Sequence, residues 1–111
     1  MKVSIIIPVK EINDYIRTAM PHYARLEEKD FEILIFPDEP TEEVFPEMNG
    51  KVRIIPSGKT GPAEKRDMAL QYAQGEIIAF IDDDAYPAPQ WLSRALPYFQ
   101  DSSVGAVGGP A

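Results

Sequence analysis

The 111-residue chain is 44% hydrophobic and 10% aromatic, a composition that supplies the core of one compact domain and argues against disorder. Its 18 acidic residues outnumber 11 basic ones, and the net charge of −7 argues against nucleic acid or an anionic membrane as a partner. The absence of cysteine excludes disulfides and thiolate metal sites, and no apolar run approaches the ~20 residues of a membrane span, so we expect a soluble, cytoplasmic protein.

The start of the chain predicts a strand followed by a helix. Residues 3–7 form a β-branched run that Pro8 stops, which is typical of a central strand that ends in a turn. Asn13 and Asp14 can cap a helix whose apolar residues follow helical spacing. Pro21 should kink this helix or split it in two.

Two further strands are expected before the middle of the chain. Residues 31–36 predict a second buried strand, which ends in the turn-rich stretch 37–40. Residues 41–44 have the pattern of a short helix start. Residues 52–55 predict a third strand, which Pro56 closes.

The next loop leads into a helix with well-marked ends and then into a fourth strand. Loop 57–61 precedes Pro62, the expected first helical residue, and the helix should run to Gly75. Residues 77–81 have the length and composition of a strand that is buried on both faces.

The last elements complete an α/β pattern. Pro87 and Pro89 introduce a helix with Trp91 on its apolar face, and residues 104–107 look like another strand. Alternating strands and helices predict a mostly parallel sheet between two layers of helices, as in half of a doubly wound fold. We expect one domain over residues 1–111.

Three consecutive carboxylates, Asp82, Asp83 and Asp84, directly follow the fourth expected strand. Ligands of open α/β sheets bind at the carboxyl ends of the strands, so these acids lie where a small molecule is expected. Like charges a few Å apart repel by about 1 kcal/mol in water and by more near a protein surface. The cluster therefore favours a divalent cation, and oxygen-only ligands favour Mg²⁺ or Mn²⁺.

Five segments span nearly the whole chain: Val3-Ser-Ile-Ile-Ile-Pro8, residues 31–36 before an acidic turn, Gly61-Pro-Ala-Glu-Lys-Arg-Asp67, Ala73-Gln-Gly-Glu76 and Ala79-Phe-Ile-Asp-Asp-Asp84. Their order and spacing resemble the donor half of family 2 glycosyltransferases. The resemblance implies the Rossmann-like half of a GT-A fold. It also implies transfer of a sugar from a nucleotide-diphosphate sugar to an acceptor hydroxyl with a divalent metal.

Carried over by position, the resemblance assigns the acids after the fourth strand to the metal and the diphosphate. Asp84 matches the metal-binding carboxylate of the Asp-x-Asp motif, and Asp82 is the second candidate metal ligand. Asp82 and Asp83 match the positions that meet the ribose and diphosphate. The alternative for all three is an acidic capping loop before the last helix.

The resemblance also assigns contacts with the nucleotide. Asp38 matches an acid that accepts a hydrogen bond from the base, and a carboxylate suits the imide N–H of uracil, so a UDP-sugar is expected. Around Asp38 the sequence reads Pro37-Asp38-Glu39-Pro40 where the family has two acids and Gly-Ser. Arg66 matches an arginine near the base and the acids, and Pro8 and Val9 match backbone contacts.

Four other residues are weaker candidates. Lys59 could help to neutralise a phosphate, and Tyr86 could border the site because it follows the acids closely. We expect His22 to be an exposed or half-buried helix residue, and Trp91 to pack in the core.

The general base and the acceptor pocket of the family belong to later sequence. We therefore expect residues 1–111 to be incomplete relative to the family and inactive alone, with an exposed sheet edge that invites a homodimer. Two alternatives remain open. One is a non-catalytic nucleotide or nucleotide-sugar binding module that a partner chain completes. The other is a nucleotidyltransferase, which residues 9–13 disfavour because they contain no glycine.

Overall fold

The computed structural model describes residues 2–97, and the strand expected at 104–107 lies outside these residues. Strands and helices alternate along the described chain, as the sequence predicts. The elements are β1 (Val3–Pro8), α1 (Asp14–Ala24), β2 (Phe31–Phe36), a 3₁₀ turn (Pro46–Met48), β3 (Val52–Ile54), α2 (Pro62–Tyr72), β4 (Ile77–Phe80) and α3 (Trp91–Ala95). Within the described residues, no helix has the length and apolar character needed to cross a membrane.

The four described strands form one parallel sheet in the order β3-β2-β1-β4. Strand β1 is central, as predicted, and its Val3 pairs with Phe31 of β2 on one side and with Ile77 of β4 on the other. This order is the one found in half of a Rossmann-like fold. Because all strands run in the same direction, the carboxyl ends of β1, β2 and β4 lie at one edge of the sheet.

Helices cover both faces of the sheet, so the predicted three-layer α/β fold is confirmed. Successive strand residues point to opposite faces, which divides the apolar residues of β1 and β2 between two clusters. Helices α1 and α3 pack on the first face, where the buried residues include Ile5, Ile7, Ile33, Ile35, Ile16, Met20, Tyr23 and Leu92. Helix α2 packs on the second face, through Ala69 against Ile6, Leu34 and Phe36.

A buried polar network connects the end of α2 to the edge of the sheet at which the strands begin. Glu32 of β2 is 6% exposed. Its Oε2 accepts hydrogen bonds from the Ser4 hydroxyl and the Gln74 backbone N–H, both at 2.6 Å, and the Arg53 guanidinium lies 3.2 Å from Oε1. The Gly75 N–H donates to Ser4 Oγ at 2.8 Å.

This network explains why α2 ends at Tyr72, although the sequence predicted a helix up to Gly75. The Ala73 N–H donates to Ala69 O at 2.9 Å, but the next two N–H groups donate to Glu32 and Ser4. A carboxylate and a hydroxyl from the sheet thus replace the helix carbonyls as acceptors.

The helix start predicted at residues 41–44 is wrong. These residues are not helical, because the Thr41 hydroxyl accepts the Glu43 N–H at 3.1 Å in a local turn. The helical turn comes later, at Pro46–Met48. Pro21 does not split α1, which continues as one helix to Ala24. Pro21 is exposed in the last turn, so no buried N–H is lost there.

The expectation that strand β4 is buried on both faces is also wrong. Its residues are half-buried, and Phe80 is 46% exposed. Among the described strands, β4 pairs with β1 alone and lies at the edge of the sheet. Pairing of such an edge with a second copy of the chain stays a prediction.

Candidate functional site

The loops after β1 and β2 lie side by side at the carboxyl edge of the sheet. The Val9 N–H donates to Phe36 O at 3.3 Å, and the Asp38 N–H donates to Lys10 O at 2.9 Å. Val9 is buried, and its side chain belongs to the core. The structure therefore brings together Pro8, Val9 and Asp38, which the sequence assigned to the nucleotide.

Asp38 is held by a buried lysine that the sequence reasoning missed. Lys65 Nζ lies 2.7 Å from Asp38 Oδ1, and their side chains are only 4% and 13% exposed. Lys65 lies one helical turn before the buried Ala69 of α2. The spacing from Ala69 could have predicted that Lys65 faces the sheet, because residues four apart share one face of a helix.

A cavity of about 440 Å³ opens between the loops after β1 and β2. Asp38 lines it, together with Lys10 and Lys59. Lys59 is exposed and gives the cavity a second cation. The remaining lining residues are Glu11, Ile12, Pro37, Glu39, Pro40 and Thr41.

The acids after β4 have different surroundings. Asp83 is half-buried, and its Oδ2 accepts a hydrogen bond from Asn13 Nδ2 at 2.7 Å. The Oδ1 of Asn13 accepts the Ile16 N–H at 3.0 Å, so the predicted cap of α1 is confirmed and also holds Asp83. Asp82 and Asp84 are exposed, and the Asp82 carbonyl closes a turn with the Ala85 N–H at 3.1 Å.

These three carboxylates do not form a metal cage. Within residues 2–97, no group of three or more His, Asp or Glu side chains is placed to hold a metal ion. Asp82 and Asp84 have carboxylates exposed to solvent, whereas Asp83 is engaged by Asn13. These carboxylates suit a cation that binds one or two protein oxygens and takes its remaining coordinating oxygens from a bound small molecule.

Arg66 of α2 faces the end of β4. Its guanidinium carbon lies 5.6 Å from the centroid of the Phe80 ring, within the range of a cation–π contact. Its Nε is buried and has no hydrogen-bond partner among the described residues. Phe80 precedes Asp82 by two residues, and among residues 2–97 no carboxylate forms an ion pair with Arg66, so its positive charge suits an anionic ligand near the acids.

His22 and Trp91 pack as expected of structural residues. His22 is half-buried and stacks on Tyr86, with ring centroids 4.9 Å apart and an angle of 6° between the ring planes. This contact ties the loop after the acids to α1. Trp91 packs against the main apolar cluster, which confirms its predicted core role.

The chain belongs to the glycosyl transferase family 2, whose family model matches residues 4–111. The resemblance seen in the sequence is thus confirmed. The fold agrees with it, because solved structures of glycosyltransferases superpose on the chain with TM-scores above 0.7.

Among curated proteins, the chain is 26% identical to TarS of Staphylococcus aureus, a poly(ribitol-phosphate) beta-N-acetylglucosaminyltransferase, over 91% of its length. It is 30% identical to a poly(ribitol-phosphate) beta-glucosyltransferase of Bacillus spizizenii, over 85% of its length. The chain spans 19% of the first protein and 16% of the second.

Two of the solved structures that are similar to this chain are complexes with nucleotide sugars. Residues 1–349 of TarS from S. aureus in complex with UDP-GlcNAc give a TM-score of 0.73 at 25% identity, covering 100% of this chain and 37% of that one. The mannosyltransferase PcManGT from Pyrobaculum calidifontis in complex with GDP-Man and Mn²⁺ gives 0.79 at 22% identity, covering 94% and 34%. The bound nucleotides differ, so fold alone does not choose the base.

Proposed function

We propose that this chain is the donor-binding portion of a glycosyltransferase that transfers a sugar from a UDP-sugar to an acceptor hydroxyl with a divalent metal. The observation that carries the proposal is that Asp38, Arg66 and the acids after β4 lie at the same edge of the sheet in a family 2 chain. A nucleotide-diphosphate sugar has a hydrogen-bonding base at one end and a dianionic diphosphate further along. The site offers complementary groups for both.

The base lies, in this proposal, in the cavity that Asp38 lines. The Asp38 carboxylate can accept the N3–H of uracil. The buried Val9 has its N–H occupied by Phe36 O, so its backbone contact with the nucleotide is made by the carbonyl oxygen. Pro8 has no N–H, and it contributes shape and a carbonyl in the same way.

The diphosphate lies between Arg66 and the exposed carboxylates of Asp84 and Asp82. These two residues would hold Mg²⁺ or Mn²⁺, with Asp83 beside them fixed by Asn13. When bound, the cation would neutralise the negative charge that grows on the diphosphate as the bond to the sugar breaks. Arg66, whose guanidinium lies over the Phe80 ring, supplies a second positive charge beside the acids.

The acceptor pocket and the general base fall, in this proposal, outside residues 1–111. The support is that the chain spans 19% of TarS and 16% of the glucosyltransferase. The isolated chain should then bind its donor and transfer little or no sugar.

Titration calorimetry with UDP tests the proposal. We expect binding in the presence of Mn²⁺, little binding with a chelator, and a loss of about tenfold or more in affinity for Asp84→Asn. Asp30→Asn is the matched control, because Asp30 is an exposed aspartate that precedes β2 at the opposite edge of the sheet. Equal affinities of the wild-type chain and Asp84→Asn would reject Asp84 as the metal ligand.

A further inference from the structure

Lys65 is a buried cation whose hydrogen-bond donors are all used. It is 3% exposed, and burial of an ammonium group is costly unless acceptors surround it. Its Nζ lies 2.9 Å from Phe36 O, 2.7 Å from Asp38 Oδ1 and 2.9 Å from Ser57 Oγ. Three donors meeting three acceptors fix the position of the ammonium group.

The lysine also fixes the orientation of Asp38. The Asp38 Oδ1 faces Lys65, while Oδ2 accepts no hydrogen bond from any residue in 2–97. The backbone of Asp38 is held on both sides, because its N–H donates to Lys10 O at 2.9 Å and its carbonyl accepts the Gly58 N–H at 2.8 Å. Asp38 lines the cavity, and Oδ2 is its carboxylate oxygen without a hydrogen-bond partner among residues 2–97.

A single outward acceptor distinguishes among nucleobases. Uracil carries one N–H on its pairing edge. Guanine carries two adjacent donors, which match a carboxylate with both oxygens available, and cytosine carries an acceptor nitrogen at the position of the uracil N–H. An unpaired polar group in a closed site weakens binding by much more than a missing apolar contact.

We propose that Lys65 is a positioning residue that gives the site its selectivity for uridine nucleotides, because it engages Asp38 Oδ1 and leaves Oδ2 as the one acceptor for the base. The proposal rests on the function proposed above, since it takes the cavity at Asp38 as the base site. It goes further by assigning the choice of base to a residue that does not touch the base.

The proposal makes a sharp prediction for Asp38→Asn. Lysine is donor-only, so the amide oxygen of the new side chain must face Lys65. The amide NH₂ is then directed into the cavity, where it repels the N3–H of uracil and donates to the N3 of cytosine. The preference between UDP and CDP should therefore reverse.

Competitive titrations with UDP, CDP and GDP in the presence of Mn²⁺ test this. We expect the wild-type chain to bind UDP about tenfold or more tightly than CDP or GDP, and Asp38→Asn to bind CDP more tightly than UDP by a similar factor. In the double variant Asp38→Asn with Lys65→Met the amide can turn over, so the two affinities should approach each other. Lys29→Met is the matched control, because Lys29 is an exposed lysine that precedes β2 at the opposite edge of the sheet, and it should leave the preference for UDP unchanged.

The outcomes separate the two proposals. A wild-type chain that binds no nucleotide would overturn both. A wild-type chain that binds UDP, combined with an Asp38→Asn variant that still prefers UDP to CDP, would overturn the role of Lys65 alone. If the double variant with Lys65→Met does not fold, the single variant Asp38→Asn still tests the role of Lys65. A reversed preference between UDP and CDP requires that Lys65 hold the amide oxygen and so fix the direction of the amide NH₂.

Discussion

Gly75 is the position where one added methyl group should weaken the fold most clearly. A Cβ at this residue would lie 2.7 Å from both Ser4 N and Ser4 Oγ and 2.8 Å from Lys2 O. Two of these atoms belong to the backbone at the start of β1, the central strand, and cannot rotate away. The third is the hydroxyl that accepts the Gly75 N–H and donates to Glu32.

The cost of Gly75→Ala follows from these contacts. Forcing an extra methyl group into a packed site costs about 1–3 kcal/mol. Relief of the clash must move the chain away from Ser4, which weakens the hydrogen bonds of Ser4 Oγ and the buried Glu32 by about 1–2 kcal/mol more. We expect the free energy of unfolding to fall by about 2–5 kcal/mol, a large part of the ~5–15 kcal/mol of a typical domain.

Urea unfolding measures this change, with the fluorescence of Trp91, the single tryptophan of the chain, as the probe. Gly58→Ala is the control, because Gly58 has φ of +79° and nothing within 4 Å of an added Cβ. That variant should lose about 1–2 kcal/mol from backbone strain alone. Equal losses in the two variants would refute the clash at Ser4.

Two further predictions concern buried titratable groups. Burial alone would raise the pKa of Glu32, but hydrogen bonds from Ser4 and Gln74 and the charge of Arg53 outweigh it and lower the pKa below the usual 4.5. A lowered pKa stabilises the fold above pH 4.5 and the benefit disappears as the pH falls through the folded-state pKa, so Glu32→Gln should flatten the pH dependence of stability in acid. An unchanged acid slope in urea titrations would contradict this. Burial raises the pKa of Tyr23, whose hydroxyl has no partner among the described residues, so Tyr23→Phe should leave thermal stability unchanged or raise it by about 1 kcal/mol. A clear loss would reveal a partner for the hydroxyl.

Much of the fold could be predicted because its signals are local. The runs at Val3–Pro8 and Phe31–Phe36 are rich in β-branched and aromatic residues, and both became strands that pair with each other along their whole length. Asn13 predicted the start of α1, and its side chain caps the helix. The predicted burial of β4 on both faces was wrong, because the burial of a strand depends on which other elements cover it.

The candidate site was predictable only in part. Asp38 and the acids at 82–84 could be placed at one sheet edge, since parallel strands share their carboxyl ends. The hydrogen bond between Lys65 and Asp38 joins residues 27 apart, and that between Asn13 and Asp83 joins residues 70 apart. Nothing in the neighbourhood of either residue along the chain specifies such a partner.

The amino-acid order by itself determined the alternation of strands and helices, because backbone preferences and apolar spacing act over a few neighbouring residues, and its five motifs indicated the family. Only the tertiary structure decided which polar groups meet. It brought Lys65 within hydrogen-bonding distance of Asp38 and placed Arg66 over the Phe80 ring. Among residues 2–97, it gave a hydrogen-bond partner to the side chain of Asp83 and none to that of Asp84. The reason is physical: a buried charge is stable only where packing brings acceptors or donors within about 3 Å of it.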